Sequence, residues 1–122
     1  MKTALITGGS GHVGANLVRE LTRQDFKVRC IDFDGDHQAF EGHAVELIKG
    51  NISNIESVDA AFKDVDVVFH TAALISLVRK DRDIIRSVNV LGTKNVCELS
   101  LRHGVKKLIY FSSVDAFIRE PL

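Results

Sequence analysis

The sequence holds one tyrosine, one proline, two cysteines and no net charge, and each scarcity excludes something. With 16 Lys+Arg against 16 Asp+Glu it carries no field suited to gripping nucleic acid or an anionic membrane. Cys30 lies in an apolar run and Cys97 in a helical pattern, with neither Cys-x-x-Cys nor His-x-x-x-His spacing. No metal site is expected, and both read as buried reduced thiols of a cytoplasmic protein. The apolar stretch near Met1 is too short for a secretory signal or a membrane span. Pro121, the sole proline, stands at the very end. What is present is ordinary for a soluble globular domain: 122 residues, 45% apolar and 26% charged, enough for one core.

Apolar runs alternate with helical patterns along the chain. Ala4–Ile6 is a strand-like run closed by Thr7, Gly8 and Gly9, and Val13, Leu17 and Leu21 then recur every four residues, the stripe of an amphipathic helix. Val28–Ile31 gives a second strand ending at Asp32, residues 33–43 a loop, and Ala44–Ile48 a third strand. Ser53 and Glu56 have capping-box spacing, which predicts a helix from there to about Lys63. Asp66–His70 is apolar enough for a strand buried on both faces. The stretch from Asp81 to His103 predicts one long helix with Ile84, Val88, Leu91 and Leu99 on one side and Gly104 as its stop. Lys106–Phe111 is a fifth strand. This βαβα order predicts a Rossmann-type α/β fold, a doubly wound parallel sheet in the order 3-2-1-4-5 with helices on both faces.

The turn between the first strand and first helix reads Thr7-Gly8-Gly9-Ser10-Gly11-His12-Val13-Gly14. Glycines permit unusual backbone angles and let a pyrophosphate approach the main chain, where free amides and the helix dipole meet its charge. Gly8, Gly11, His12, Val13 and Gly14 therefore form a candidate phosphate cradle, in the strand–turn–helix context that such a motif requires. Asp32 follows Gly14 by 18 residues, close to the ~20 expected of a carboxylate that binds the adenosine ribose hydroxyls. With Asp34 beside it and no arginine nearby, a 2′-phosphate is repelled, so NAD is favoured over NADP. A calcium loop at Asp32–Asp36 fails, because His37 and His43 stand where its glycine and glutamate belong.

Taken together these motifs resemble the extended short-chain dehydrogenase/reductases, which include nucleotide-sugar epimerases and dehydratases, dihydroflavonol-type reductases and hydroxysteroid dehydrogenases. The glycine turn resembles the family's T-G-x-x-G-x-x-G; Gly50-Asn51-Ile52 its G-D-[IL]; His70-Thr71-Ala72-Ala73 its H-x-A-A; Asn89–Val96 its N-V-x-G-T-x-N-[VL]; and Phe111-Ser112-Ser113 its [FY]-x-S-S. The resemblance implies that Asn51, whose amide oxygen can accept from adenine N6, and Ile52 meet the adenine, and that Thr71, Ala72 and Ala73 form a small-residue wall beside the cofactor. It implies that Ser113 bonds the substrate oxygen at the carbon that exchanges hydride, with Ser112 nearer the cofactor. His70 reads as a structural hydrogen-bonder, and Asn89 as packing near the site.

The family's proton-transfer pair, Tyr-x-x-x-Lys after the serine, is not found: Tyr110 precedes Ser113 and has Val114 four positions on. The expectation is therefore the NAD-binding N-terminal portion of an oxidoreductase, epimerase or dehydratase acting on a hydroxyl or keto group of a small molecule, inactive alone. The alternative is a non-catalytic dinucleotide-binding sensor or assembly module, or a chain completed by another. Phe117–Leu122 reads as the start of a loop toward a substrate-binding half, and a sheet ending on its fifth strand is expected to self-associate through its uncovered edge.

Overall fold

The computed structural model describes residues 1–34, 38–75 and 78–113. The expected loop from Phe117 to Leu122, and Gly35 within the second loop, lie outside them. Five parallel strands run β1 (Thr3–Thr7), β2 (Lys27–Asp32), β3 (Val45–Lys49), β4 (Val67–His70) and β5 (Lys107–Tyr110), in the sheet order β3-β2-β1-β4-β5. This is the doubly wound arrangement expected from the sequence. Register aligns Thr7 with Ile31 and His70, Asp32 with Lys49, and His70 with Tyr110, so the C-terminal strand ends share one rim.

Period two in β1 divides the core. Ala4 and Ile6 face α1 (His12–Arg23) with Val18, Leu21, Val28, Cys30 and Phe40. Leu5 faces the other way, onto Ile31, Val58, Phe62, Val68, Val96 and Leu99. All three β1 side chains are wholly buried, each large one contributing about 1.5–3 kcal/mol. The stripe of α1 is turned slightly from the expected one. Gly14, Val18 and Leu21 are buried, whereas Val13 is exposed beside the glycine turn.

Two helical expectations change. α2 spans only Ile55–Val58, continuing as a 3₁₀ turn over Asp59–Phe62, and no side chain caps it. Ser53 does not form the capping box, because both its N–H and its hydroxyl donate to Asn51 Oδ1 at 3.0 and 2.6 Å. The long helix is α3 (Arg82–Arg86), a π turn (Ser87–Leu91) and α4 (Gly92–Arg102). Asn89 lies inside the π turn and anchors it: its amide accepts from Leu74 N at 2.8 Å and donates to Leu74 O at 2.9 Å. Of the residues expected on its apolar side, Ile84 and Leu91 are exposed, whereas Leu99 is buried. Gly104 ends α4 at φ +67°, with Val105 N bonded to Ser100 O at 2.9 Å. Cys97 is exposed on α4, against expectation, because it lies on the outer face beside Glu98; Cys30 is buried.

Candidate functional site

Above the C-terminal rim lies a cleft of about 440 Å³. Its floor is the turn after β1. Gly8 takes φ +72° with its N–H on Ile31 O at 3.0 Å, and a Cβ there would press to 2.7 Å from Ala72 Cα. Gly11 is the N-cap of α1 and brings no side chain over the first-turn amides. Gly14 is buried under the turn, where a Cβ would lie 2.2 Å from Gly8 O. A Cβ on Gly9 would lie 2.7 Å from Cys30 Sγ, a constraint that no motif announces. His12 and Val13 sit exposed in the first turn of α1, outside the cleft lining.

Asp32 ends β2 at 8% exposure, and its carboxylate is held from the glycine turn. Ser10 N–H donates to Oδ2 at 3.0 Å and Ser10 Oγ donates to the same oxygen, while Asp34 N–H reaches Oδ1 at 3.3 Å. Ser10 is thus a site residue that the sequence offered only as a variable position between glycines. The same carboxylate lies near Cys30, whose thiol is pushed up to about 12, first by burial and then by Asp32's charge. Cys30 is a packing thiol rather than a nucleophile.

The cleft's next wall follows β3. Asn51 lines it, but the amide oxygen that the sequence reading directs at adenine is already engaged by Ser53. Ile52 is 5% exposed; its carbonyl accepts from the buried Asn95 Nδ2 at 2.8 Å, and Gly92 leaves room for its side chain. Thr71, Ala72 and Ala73 form the opposite wall, with Thr71 Oγ1 donating to Thr7 O at 2.6 Å.

Beneath that wall a chain of hydrogen bonds runs through His70, which is 2% exposed. Ala72 N–H donates to Thr7 Oγ1 at 3.2 Å, and Thr7 Oγ1 lies 2.7 Å from His70 Nδ1. On the other side Nε2 lies 2.8 Å from Thr93 Oγ1, whose hydroxyl donates to Asn89 O at 2.7 Å. With Thr93's proton committed to Asn89, Nε2 carries the ring proton and Nδ1 accepts from Thr7. Burial pushes the His70 pKa down, in keeping with this neutral tautomer. Tyr110 tilts against the ring, centroids 5.7 Å apart. His70 is therefore a structural hydrogen-bonder, as read from the sequence. Thr7, Thr93 and Asn95, quoted only as motif letters, are its partners and those of Ile52.

The structure thus gathers Gly8, Gly11, Asp32, Asn51, Ile52, Thr71, Ala72 and Ala73 around one cleft. Gly14 supports it from below, and Ser112 and Ser113 stand exposed after β5 on the same rim, outside the lining. Among the described residues no group of three or more His, Cys, Asp or Glu side chains is placed to hold a metal ion, and no helix is long and apolar enough to cross a membrane.

The sequence profile of the 3-beta hydroxysteroid dehydrogenase/isomerase family matches residues 5–120. Sterol demethylase protein B of Methylococcus capsulatus is 39% identical over 115 residues, covering 93% of this chain and 35% of that protein. Among solved structures, a short-chain dehydrogenase/reductase superfamily protein from Agrobacterium tumefaciens with bound NAD superposes with a TM-score of 0.81 at 30% identity, covering 91% of this chain and 32% of that one. WbmG of Bordetella bronchiseptica, in complex with NAD, gives 0.82 at 28% identity, with coverages of 92% and 37%. The chain spans about a third of the length of these relatives.

Proposed function

The chain belongs to the 3-beta hydroxysteroid dehydrogenase/isomerase family, within the extended short-chain dehydrogenase/reductases, and from that premise we propose that it binds NAD as the cofactor domain of an oxidoreductase acting on a hydroxyl or keto group of a sterol-like small molecule. The observation that carries this reading is the cleft in which a glycine-rich turn and a carboxylate fixed by Ser10 meet at the C-terminal rim of a parallel sheet.

The residues fit the group. A Cβ at Gly8 or Gly14 would meet main-chain atoms, so the turn holds the low profile that a pyrophosphate needs. The amides of His12, Val13 and Gly14, in the first turn of α1, face its charge, while Gly11 N–H closes the turn onto Gly8 O at 3.1 Å. Asp32, with Oδ2 bound by Ser10, has Oδ1 for the ribose hydroxyls, and with Asp34 it opposes a 2′-phosphate. Ile52 packs below the base, and the small side chains of Thr71, Ala72 and Ala73 leave space for a flat ring. When bound, the nicotinamide ring supplies the hydride acceptor or donor. Ser112 lies toward the cofactor, and Ser113 donates to the substrate oxygen from the end of β5. Residues 1–122 contain no Tyr-x-x-x-Lys pair to exchange the accompanying proton.

Calorimetric titration with NAD and NADP tests the reading. NAD is expected to bind at least tenfold more tightly than NADP, about 1.4 kcal/mol. Absence of heat and of any thermal shift at millimolar NAD overturns it.

A further inference from the structure

The cleft wall after β4, formed by Thr71, Ala72, Ala73 and Leu74, is held near both ends by one relay through His70. Ala72 N–H donates to Thr7 Oγ1, and the Thr7 hydroxyl donates to His70 Nδ1. On the far side Nε2–H donates to Thr93 Oγ1, and the Thr93 hydroxyl donates to Asn89 O. The Asn89 side chain in turn clasps both main-chain groups of Leu74. From Ala72 to Asn89 every hydrogen points the same way, so the relay has a single polarity. The wall it holds rests directly on the glycine turn, where a Cβ at Gly8 would lie 2.7 Å from Ala72 Cα.

That polarity requires a ring with one hydrogen. A second proton turns Nδ1 from acceptor into donor. The Thr7 hydroxyl hydrogen then has no acceptor among the described residues, in a side chain of 0% exposure, and Ala72 N–H shares Thr7 Oγ1 with the ring. Thr7 from β1, Thr93 from α4 and Tyr110 from β5 face the imidazole, and of these only Tyr110 is titratable. The lowered pKa of His70 comes from burial, with no charged side chain contributing. On the dinucleotide reading, on which this inference rests, the cofactor occupies the cleft that Ala72 and Leu74 line. We infer that His70 is a positioning residue for the dinucleotide: the neutral ring sets Ala72 over the glycine turn and, through Thr93 and Asn89, the place of Leu74, so that NAD is held tightly only while the ring carries a single proton.

The test is calorimetric titration with NAD from pH 8 down to about 5, at temperatures where circular dichroism shows the chain folded. Wild-type affinity is expected to be constant above pH 6.5 and to fall about tenfold below it, the size of one buried hydrogen bond left unmade. His70→Gln, whose amide does not titrate, should bind more weakly at pH 8 and show no such fall. Thr7→Val should likewise lose the pH dependence, and Thr7→Ser, which keeps the hydroxyl, should restore it. A proton on His12, exposed beside the glycine turn, attracts a diphosphate and moves affinity the opposite way, so it cannot imitate the effect. Should the variants fail to fold, amide exchange in the wild type without ligand decides. Protection at Ala72 should drop relative to Ile6 as pH falls, and protection that tracks Ile6 throughout overturns the inference. NAD affinity that does not fall in wild type, or falls equally in His70→Gln, overturns it too and leaves the dinucleotide reading standing. No binding of NAD at pH 8 overturns both.

Discussion

At the scale of single residues, the site depends as much on missing atoms as on present ones. Gly14 touches no cleft surface, yet one methyl there would fall 2.2 Å from Gly8 O and 2.7 Å from Gly9 Cα, both main chain and unable to yield. Gly14→Ala is expected to lower stability by about 1–3 kcal/mol, the range for overpacking, and to abolish NAD binding by lifting the turn. Urea unfolding and calorimetry read the two effects separately. His70 supplies a pH dependence. Burial lowers its pKa from 6.5, so the folded chain keeps the ring neutral where the unfolded chain already takes up a proton. Its contribution is complete above pH 6.5 and is lost as pH falls through the folded value. Asp59, held below the ordinary carboxylate range chiefly by its hydrogen bond with His103, titrates in a more acid window. Urea midpoints from pH 8 down to about 5 should therefore fall, and His70→Gln, less stable at pH 8, should show the shallower slope.

At the scale of elements, the π turn is the device that binds the helical layer to the cleft wall. Asn89 bonds both main-chain groups of Leu74, and its own carbonyl receives Thr93, which in turn serves His70. Asn89→Ala strips two bonds from Leu74 and should cost about 1–3 kcal/mol. Hydrogen exchange at Leu74 should rise more than at β1, and equal protection in variant and wild type would reject the link. The same element shows where the sequence was legible. All five strands and their order followed from short apolar runs separated by helical stripes; burial on two faces leaves little choice of residue in β1 and β2, whereas β3 and β5 are only half-buried and were legible from their apolar runs alone. The glycine turn and Asp32 were legible through spacing. The π turn was not, because inserting one residue depends on Leu74, fifteen positions away and carrying no signal. Nor was the loss of the Ser53 capping box, where Asn51 competes locally for the same hydroxyl. Ser10 was hidden because its partner Asp32 lies twenty-two positions on.

At the scale of the whole molecule, the apolar surface is unevenly shared. Leu74, Ile75, Val78, Ile84, Val90 and Leu91 are exposed along one stretch of chain, and Tyr110 and Phe111 at β5 are exposed too. We propose that self-association, if it occurs, uses this apolar surface and the β5 edge, beside which no further strand lies among the described residues. Sedimentation should show mass rising with concentration, and Ile84→Glu with Leu91→Lys should return the chain to a monomer. A monomer at every concentration in the unsubstituted chain would count against the face. One further consequence follows from the position of β1 at the middle of the sheet. Its partners are β2, reached within 32 residues, and β4, which ends at His70. During synthesis, at roughly 5–20 residues per second, the first strand made must wait several seconds for its second neighbour. Until then Gly8 has no Ala72 to rest against and Thr7 no His70 to address. The earliest of the five strands is thus enclosed only after β2, which has both its neighbours by Lys49, and the cleft cannot exist before it is.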